Sequence, residues 1–310
     1  MKYIFGVDIG GTTIKFGLFE ESGTLLDTWA IPTRTEEVGK NILPDLWASV
    51  QIKMEEKDLS KNDIVGIGVG VPAPVDTRGI VQDTANLGWH YKEVKSELEV
   101  LSRMTCEIGN DANVAALGEM WLGGGVGHNN IIMVTLGTGV GGGIITDGKV
   151  LVGAHGAGGE IGHFRVRFDE TETCGCGNKG CLEQYSSATG IARLTKKKLE
   201  SDTRETLLRG TDLTAKDVFD AVKQEDAVAI EIAEEFGFYL GTALSQIASV
   251  IDPEAFVIGG GVSKAGHILL SYIEKSYYQH AFFANRDAEF KLATLGNDAG
   301  ICGAAKLVLG

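Results

Sequence analysis

The sequence predicts an α/β protein made of two lobes of similar plan, each a β-meander joined to helices. Strand-like and helix-like segments are mixed along the whole chain, which is typical of the α/β class. The 43 glycines among 310 residues fall largely in tight clusters, although average usage is about 7%. A strand, glycine turn and strand occur at positions 3–19 and again at positions 131–145. This near-repeat is what predicts two similar lobes.

The elements of the first lobe follow from local patterns. Apolar runs around the first glycine turn predict strands at 3–7 and 14–19, with a third strand after the polar turn at 20–23. Apolar residues at three- and four-residue spacing predict an amphipathic helix at 41–57. A short helix at 112–122 ends at the glycines that begin at residue 123.

The second lobe repeats the meander and continues with alternating helices and strands. Its elements are predicted as strands at 131–134 and 143–145, a polar turn at 147–148 and a further strand, a helix at 226–251 ended by Pro253, a strand at 255–258, a helix at 264–278, a strand at 289–295 and a closing helix at 298–309. We expect a smaller N-terminal lobe at 1–120 plus about 298–310, and a larger lobe at about 121–297.

Composition argues against several classes of function. The net charge is −14 and the longest basic run is 196–198, which disfavours nucleic-acid binding. No apolar stretch approaches the roughly 20 residues of a membrane span, and the N-terminus lacks the pattern of a signal peptide. Five cysteines suit a reducing compartment better than a disulfide framework. We therefore expect a cytoplasmic protein without a membrane or nucleic-acid partner.

The first glycine turn suggests a phosphate site. Glycine amides and threonine hydroxyls are donors that can converge on an anion, and the candidates are Gly10, Gly11, Thr12 and Thr13. Asp8 would repel a phosphate, so we assign it tentatively to Mg²⁺. The alternative is an ordinary hairpin turn with a capping aspartate.

The second glycine turn offers the same donors, at Gly137, Thr138 and Gly139. Thr135 stands where Asp8 stands in the first copy, so this loop lacks the carboxylate. Two donor-rich loops with one acidic residue suit a polyphosphate with one metal. The alternative is a merely flexible loop.

Three cysteines and one histidine form a candidate metal site. His163, Cys174, Cys176 and Cys181 lie close together in the chain and match the Cys₃His composition of a structural zinc site. A disulfide would leave one of these thiols unpaired. Cys106 and Cys302 lie elsewhere and are interpreted as buried thiols.

Two further groups of polar residues are candidates for catalysis and substrate binding. Asn110 and Asp111 stand at a predicted helix start, where Asp111 is either a helix cap or a general base. Asn86, Glu160 and Glu183 lie in glycine-rich segments or beside the cysteine cluster. Carboxylates and amides can bind the hydroxyls of a polyhydroxy ligand.

These motifs together resemble those of the ROK family of sugar kinases and sugar-responsive repressors. The resemblance covers essentially the whole chain and is carried by residues 8–13, 86–89, 109–113, 137–142, 159–163 and 174–183. It implies an actin/hexokinase-like fold of two ribonuclease-H-like lobes, with nucleotide and sugar in a central cleft. It also implies ATP with Mg²⁺ as the phosphoryl donor, a structural Zn²⁺ and a homodimer or homotetramer.

The resemblance also implies individual roles. Asp111 would be the catalytic base, and the sugar contacts would be Asn86, Asn110, Asp111, Glu160, His163 and Glu183. Adenosine would lie at Gly259, Gly260 and Gly261 and at segment 296–303. Thr13 departs from the lysine that many members carry, and the role of Lys15 stays open.

We therefore expect phosphorylation of a hexose at its 6-hydroxyl, with glucose as the first candidate. Fructose, N-acetylglucosamine, N-acetylmannosamine and allose are alternatives, since the sequence does not show how the sugar hydroxyls are read. A sugar-sensing repressor would need an N-terminal helix-turn-helix domain, whereas the first phosphate motif begins at residue 8. The acidic charge also disfavours that alternative.

Overall fold

The computed structural model describes residues 2–84 and 86–310. The chain divides into two compact units. The first takes in the described residues of Met1–Asn129 together with Gly143–Gly159 and Leu295–Gly310, and the second takes in Asn130–Gly142 and Glu160–Thr294. The predicted lobe boundaries stay a prediction, and the units differ from them chiefly in Gly143–Gly159, which groups with the first unit.

The strands of the described residues form two sheets. In chain order they are β1 (Tyr3–Ile9), β2 (Thr13–Glu20), β3 (Leu25–Pro32), β4 (Ile64–Val71), β5 (Cys106–Asn110), β6 (Ile131–Leu136), β7 (Val140–Thr146), β8 (Lys149–Val150), β9 (Ala255–Gly259) and β10 (Glu289–Leu292). The first sheet has the order β3-β2-β1-β4-β5 and the second has the order β10-β9-β6-β7-β8. Both predicted meanders are present, as β1 to β3 and β6 to β8.

The helices connect and cover these strands. In chain order they are α1 (Glu36–Gly39), α2 (Ile42–Glu56), α3 (Val94–Ser102), α4 (Asp111–Leu122), α5 (Glu183–Ser186), α6 (Ala188–Ser201), α7 (Ala215–Val222), α8 (Ala227–Ile251), α9 (His267–His280) and α10 (Ala299–Leu309). Among the described residues, none of the helices is both long enough and apolar enough to span a bilayer.

The first sheet combines a meander with parallel strands. β1 pairs antiparallel with β2, and β2 with β3, whereas β4 lies parallel to β1 and β5 parallel to β4. The register of β1 and β2 sets Ile9 opposite Ile14 and Asp8 opposite Lys15. Ile9 and Ile14 are both buried, so the apolar pattern fixes this register and thereby the turn between the strands.

Helices α4 and α10 pack with their backbones in close contact. A Cβ placed on Gly118 would lie 2.3 Å from the Ala299 carbonyl oxygen, and one on Gly303 would lie 1.5 Å from that of Val114. Only glycine allows this approach. The contact fixes where α4 begins, at Asp111, relative to the first turn of α10.

In the second unit, β9 lies parallel to both β6 and β10. Helix α8 begins after the cap residue Asp226, as predicted, and packs against α9 with Phe236, Leu240 and Tyr277 fully buried. The predicted helix at 264–278 is instead a short 3-10 helix at Val262–Ala265 followed by α9. Gly266 has a φ of 83° and separates the two, because an α-helix cannot continue through a left-handed residue.

Candidate functional site

The first glycine turn lies between β1 and β2 and exposes its donors. The Gly10 N–H donates to the Thr13 carbonyl at 2.9 Å, and the Thr33 hydroxyl donates to the Gly10 carbonyl at 2.7 Å. Gly11, Thr12 and Thr13 are exposed. Asn86 is close by, since a Cβ on Gly11 would lie 3.1 Å from its Cβ. The structure therefore brings Asn86 to the turn, as part of the first unit.

Asp8 is a half-buried carboxylate beside this turn and beside the start of α10. A Cβ on Gly300 would lie 2.7 Å from its Oδ2, and one on Gly70 would lie 3.5 Å from its Oδ1. Burial and the negative charge of Asp111 together raise the pKa of Asp8 to about 6, against the opposing effect of Lys15. Asp8 and Asp111 are thus two carboxylates whose negative charges repel each other. A divalent cation beside such a pair would be stabilised.

Lys15 connects β2 to the segment before α10. Its ammonium donates to Asp298 Oδ1 and to the Asn297 carbonyl oxygen, each at 2.8 Å. The predicted adenosine segment 296–303 therefore lies next to Asp8 within the first unit. The sequence left the role of Lys15 open because its partners lie near the opposite end of the chain.

Asn110, not Asp111, caps helix α4. The Asn110 side-chain oxygen accepts from the Ala112 and Asn113 N–H groups at 3.0 and 3.2 Å, and its amide nitrogen donates to the Ala73 carbonyl at 3.1 Å. Asp111 occupies the first helical position, is exposed, and has an Oδ1 that accepts from the Ala112 N–H at 2.8 Å. The helix can therefore begin without the Asp111 carboxylate as its cap.

The second glycine turn, between β6 and β7, is held by the start of α6. The Gly137 N–H donates to the Gly139 carbonyl at 3.0 Å and the Ala188 N–H donates to the Gly137 carbonyl at 2.8 Å. The Thr189 hydroxyl donates to the Thr138 carbonyl at 2.7 Å. These contacts fix the loop, so the interpretation as a merely flexible segment does not fit it.

The four predicted metal ligands come together in the second unit. Ligand atoms of His163, Cys174, Cys176 and Cys181 all lie within 4.8 Å of one another. The Cys176 and Cys181 sulfurs are 3.6 Å apart, and the Cys174 sulfur is 3.8 Å from His163 Nδ1. Thiolates bound at about 2.3 Å in a tetrahedron lie about 3.8 Å apart, so the donor set fits Zn²⁺.

Two predicted sugar ligands border this cluster. The Glu183 Oε1 atom accepts from the Cys174 thiol at 2.8 Å and lies 3.8 Å from His163 Nδ1. Glu160 precedes the short 3-10 helix Ile161–His163 and is exposed, and its carbonyl accepts from the His163 N–H at 3.2 Å. A polar surface formed by Glu160, His163 and Glu183 therefore adjoins the cysteines.

The loop that carries the cysteines is anchored to α5 and α6. The Glu170 carboxylate is buried and accepts from the Tyr185 hydroxyl and the Arg193 guanidinium. Burial alone would raise the pKa of Glu170, but hydrogen bonds from the Glu172 N–H, Tyr185 and Arg193 together hold it well below its ordinary value. Gln184 adds bonds from the Gly180 and Cys181 N–H groups. This network was not predicted from the sequence, because its members come from separate elements and follow no motif.

A cavity of about 480 Å³ opens beside the third glycine cluster, Gly259 to Gly261, at the end of β9. Apolar atoms dominate its wall, with Phe219 of α7 and Val262 among them, and its polar lining includes Lys216, Lys223, Lys264, Thr214 and Asp220. Lys216 and Lys223 both donate to Asp220. Gly261 was among the predicted nucleotide residues, whereas α7 was not predicted. The signal for α7 was the capping box of Thr214 and Asp217, which the structure contains.

Comparison with known proteins gives consistent matches over the chain. The model of the ROK family matches residues 4–310. The glucokinase of Halalkalibacterium halodurans is 42% identical over 313 residues, which cover 99% of this chain and 95% of that relative. A ROK family glucokinase from Streptomyces griseus, solved in complex with glucose and AMPPNP, has a TM-score of 0.73 at 35% identity over 98% of both chains. The ROK hexokinase from Thermus thermophilus has a TM-score of 0.81 at 27% identity, over 98% of this chain and 97% of that one. The predicted fold class, that of the hexokinase-like sugar kinases, is confirmed.

Proposed function

The chain belongs to the ROK family, and from this premise we propose that it is an ATP-dependent kinase that phosphorylates glucose at the 6-hydroxyl. The observation that carries this function is its full-length likeness to glucokinases, one of them solved with glucose and an ATP analogue. The exposed Asp111 carboxylate, the glycine turns and the polar surface beside the cysteines supply the chemical groups that such a reaction needs.

We assign proton transfer to Asp111. As the sugar's 6-oxygen attacks the γ-phosphorus, the bond from that phosphorus to the β,γ-bridging oxygen breaks and ADP leaves, while the carboxylate accepts the hydroxyl proton. Phosphoryl transfer through a loose transition state requires little basicity from this group and depends mainly on its position. The N-terminus of α4 favours the ionised carboxylate, and Asn110 caps the helix without its help.

We assign sugar binding to Asn86, Asn110, Asp111, Glu160, His163 and Glu183, on the strength of the family resemblance. The Asn110 oxygen already accepts two backbone N–H groups and its amide nitrogen donates one hydrogen to the Ala73 carbonyl, so this residue would meet the sugar through the second hydrogen of that nitrogen. Glu160 and Glu183 can each accept hydrogen bonds from vicinal hydroxyls. Their carboxylates are the groups best suited to select glucose from other hexoses.

We assign the base of the ATP donor to the cavity beside Gly259, Gly260 and Gly261. Its apolar wall suits a purine ring, and its volume lies in the range of small-molecule sites. The phosphates would meet the backbone N–H groups of Gly11 and Gly139 and the hydroxyls of Thr12, Thr13 and Thr138, next to Gly10 and Gly137, whose own N–H groups bond within the turns. Asp8 would hold the magnesium ion that accompanies ATP, which supplies charge neutralisation to the transferred group.

We assign a structural zinc ion to His163, Cys174, Cys176 and Cys181. Four protein ligands complete a tetrahedral site, which leaves no position for substrate or water. The metal would therefore fix the loop on which His163 and Glu183 stand, without acting in the chemical step. Elemental analysis of freshly purified protein tests this ligand set, with one zinc per chain expected.

We also propose a cytoplasmic homodimer or homotetramer. The second unit has large exposed apolar side chains near the end of α9, where Phe282 and Phe283 are 55% and 73% exposed and have ring centroids 4.3 Å apart. Adjacent exposed aromatic residues favour association between chains.

The test of function is ADP release measured by a coupled assay across a panel of hexoses. We expect glucose to give the highest kcat/KM among glucose, fructose, allose, N-acetylglucosamine and N-acetylmannosamine. A higher kcat/KM for another sugar would correct the substrate, and an absence of ADP release with every hexose would refute the kinase assignment.

The Asp111→Asn variant tests the proposed base. We expect kcat to fall by about 10²- to 10⁴-fold, the range for loss of a general base. Glucose affinity and thermal stability should stay near those of the wild type because Asn110 keeps the helix cap. Asp58→Asn, an exposed aspartate after α2, is the matched control and should leave kcat unchanged. A near-normal kcat in Asp111→Asn would contradict the assignment.

A further inference from the structure

Glu183 faces two different parts of the second unit with its two carboxylate oxygens. Its Oε1 atom lies 2.8 Å from the Cys174 sulfur. Its Oε2 atom lies 2.6 Å from the position that a Cβ on Gly139 would occupy, and its Cδ lies 3.8 Å from that position. The carboxylate therefore lies between the cysteine cluster and the second glycine turn.

Gly139 and Gly137 belong to the same turn but differ in their surroundings. Apart from its chain neighbours, a Cβ on Gly137 would meet no atom within 4 Å, whereas a Cβ on Gly139 would collide with Glu183 and approach no other residue. Neither glycine has a positive φ, so backbone conformation does not require glycine at either position. What Gly139 supplies is space for one carboxylate.

We propose that Gly139 is a positioning residue for Glu183. Because Gly139 has no side chain, the Glu183 carboxylate can occupy the position in which it binds a sugar hydroxyl. The inference rests on the proposed function, in which Glu183 contacts the sugar. It adds a second role to a loop otherwise assigned to phosphate, because the same turn then determines sugar affinity.

An added methyl group at position 139 would displace the carboxylate, not the turn. The turn is held by three hydrogen bonds, from Gly137 N–H, Ala188 N–H and the Thr189 hydroxyl. Glu183 Oε2 is the far end of a flexible side chain, and it needs to move by only about 1 Å to reach ordinary van der Waals distance. The Gly139→Ala protein should therefore fold normally and bind sugar poorly.

The expected loss follows from the hydrogen bond that the displaced carboxylate would no longer make. A hydrogen bond to a charged group contributes enough that its loss weakens binding by about 10- to 100-fold. Nucleotide affinity should change much less than glucose affinity, because the backbone N–H groups of the turn stay in place.

The experiment measures the glucose Kd by isothermal titration calorimetry in the absence of nucleotide, and the AMPPNP Kd separately. Gly139→Ala should raise the glucose Kd by about 10-fold or more, while Gly137→Ala should leave it within about twofold of the wild type. Glu183→Asp shortens the side chain by one methylene. In the Gly139→Ala background this substitution should therefore cost less affinity than it does alone.

Three outcomes would refute the inference while leaving the kinase assignment intact: an unchanged glucose Kd in Gly139→Ala, an equal loss in Gly137→Ala, or additive losses in the double variant. If Gly139→Ala weakened AMPPNP as much as glucose, the position would be a nucleotide contact and the inference would also be wrong. A wild-type protein that bound no hexose would instead refute the proposed function on which the inference rests.

Discussion

Asp8 is a half-buried carboxylate whose charge destabilises the fold. Its carboxylate lies against the position of Gly300 at the start of α10, where burial and the negative charge of Asp111 together raise its pKa to about 6. A raised pKa means that the folded protein holds the proton more tightly than the unfolded chain does. Ionisation of Asp8 therefore destabilises the metal-free fold. The contribution of this carboxyl group to the free energy of unfolding falls as the pH rises from about 4 to about 6.

Replacing Asp8 with asparagine should therefore stabilise the metal-free protein above pH 6. We expect a gain of about 2 kcal/mol in the free energy of unfolding at pH 7.5 and almost none at pH 4, because the wild-type carboxyl is protonated there. Urea unfolding at both pH values, in the presence of chelator, measures the difference. Asp58→Asn, whose carboxylate is exposed, is the control and should show no pH-dependent gain. A loss of stability in Asp8→Asn at pH 7.5 would contradict the argument.

Residue roles differ in how far the sequence can determine them. The candidate metal site could be predicted because three thiols and an imidazole in one short segment are typical of a zinc site, and their atoms do come together. The helix cap could not be assigned within the pair Asn110 and Asp111, since both residue types are favourable caps. Only the hydrogen bonds of Asn110 decide between them.

At the scale of elements, the cysteine loop has an anchor that does not depend on a metal. Arg193 of α6 is hydrogen-bonded to Glu170, whose side chain is only 5% exposed, and to Glu172. Tyr185 of α5 donates to the same Glu170 carboxylate. This buried ion pair ties the loop to α5 and α6 at a point that differs from the proposed zinc site.

Replacing Arg193 with methionine should destabilise the protein strongly. We expect a loss of about 3 kcal/mol, because Glu170 would remain buried without its cation. Arg167→Met is the matched control in the same loop, since Arg167 pairs with the exposed Asp169 and an exposed pair contributes at most about 1 kcal/mol. Urea unfolding of both variants at pH 7.5 measures the contrast. Equal losses in the two variants would show that the buried pair has no special role.

Helices and strands with a strong hydrophobic periodicity were predictable from the sequence. Elements whose extent depends on the strands or helices beside them were not. The helices at 41–57 and 226–251 and both meanders are confirmed within a few residues. Helices α6 and α7 were missed although both begin after a hydroxyl cap residue, α6 because its apolar positions are few and α7 because it has only 8 residues. The strand predicted at 289–295 ends at Leu292, whose partner in β9 is Ile258, one residue before β9 itself ends at Gly259.

At the scale of the whole molecule, the near-repeat of segments 3–19 and 131–145 predicted two lobes of similar plan, each with a meander around a glycine turn. Both five-stranded sheets are present. The assignment of Gly143–Gly159 to a unit was not predictable, because it depends on contacts such as that of Gly143 with Ala116 of α4. The sequence repeat predicts the arrangement of strands within each unit, whereas tertiary contacts determine which residues belong to each unit.

The net charge of −14 acts on the whole molecule and opposes the approach of an anionic nucleotide. The three lysines that line the cavity assigned to the base of ATP act only at short range, and two of them are paired with Asp220. At about 10 mM salt the Debye length is about 30 Å, so the acidic surface as a whole repels ATP. At about 150 mM salt it falls to about 8 Å and the repulsion is largely screened.

We therefore expect the KM for Mg–ATP to fall by about two- to fivefold when salt is raised from about 10 to about 150 mM, as association becomes faster. The KM for glucose should stay constant, because a neutral sugar does not respond to the field, and it serves as the internal control. Initial rates at fixed free Mg²⁺, with a neutral osmolyte balancing the salt, measure both constants. A KM for Mg–ATP that rose with salt would mean that the cavity lysines outweigh the acidic surface even at long range.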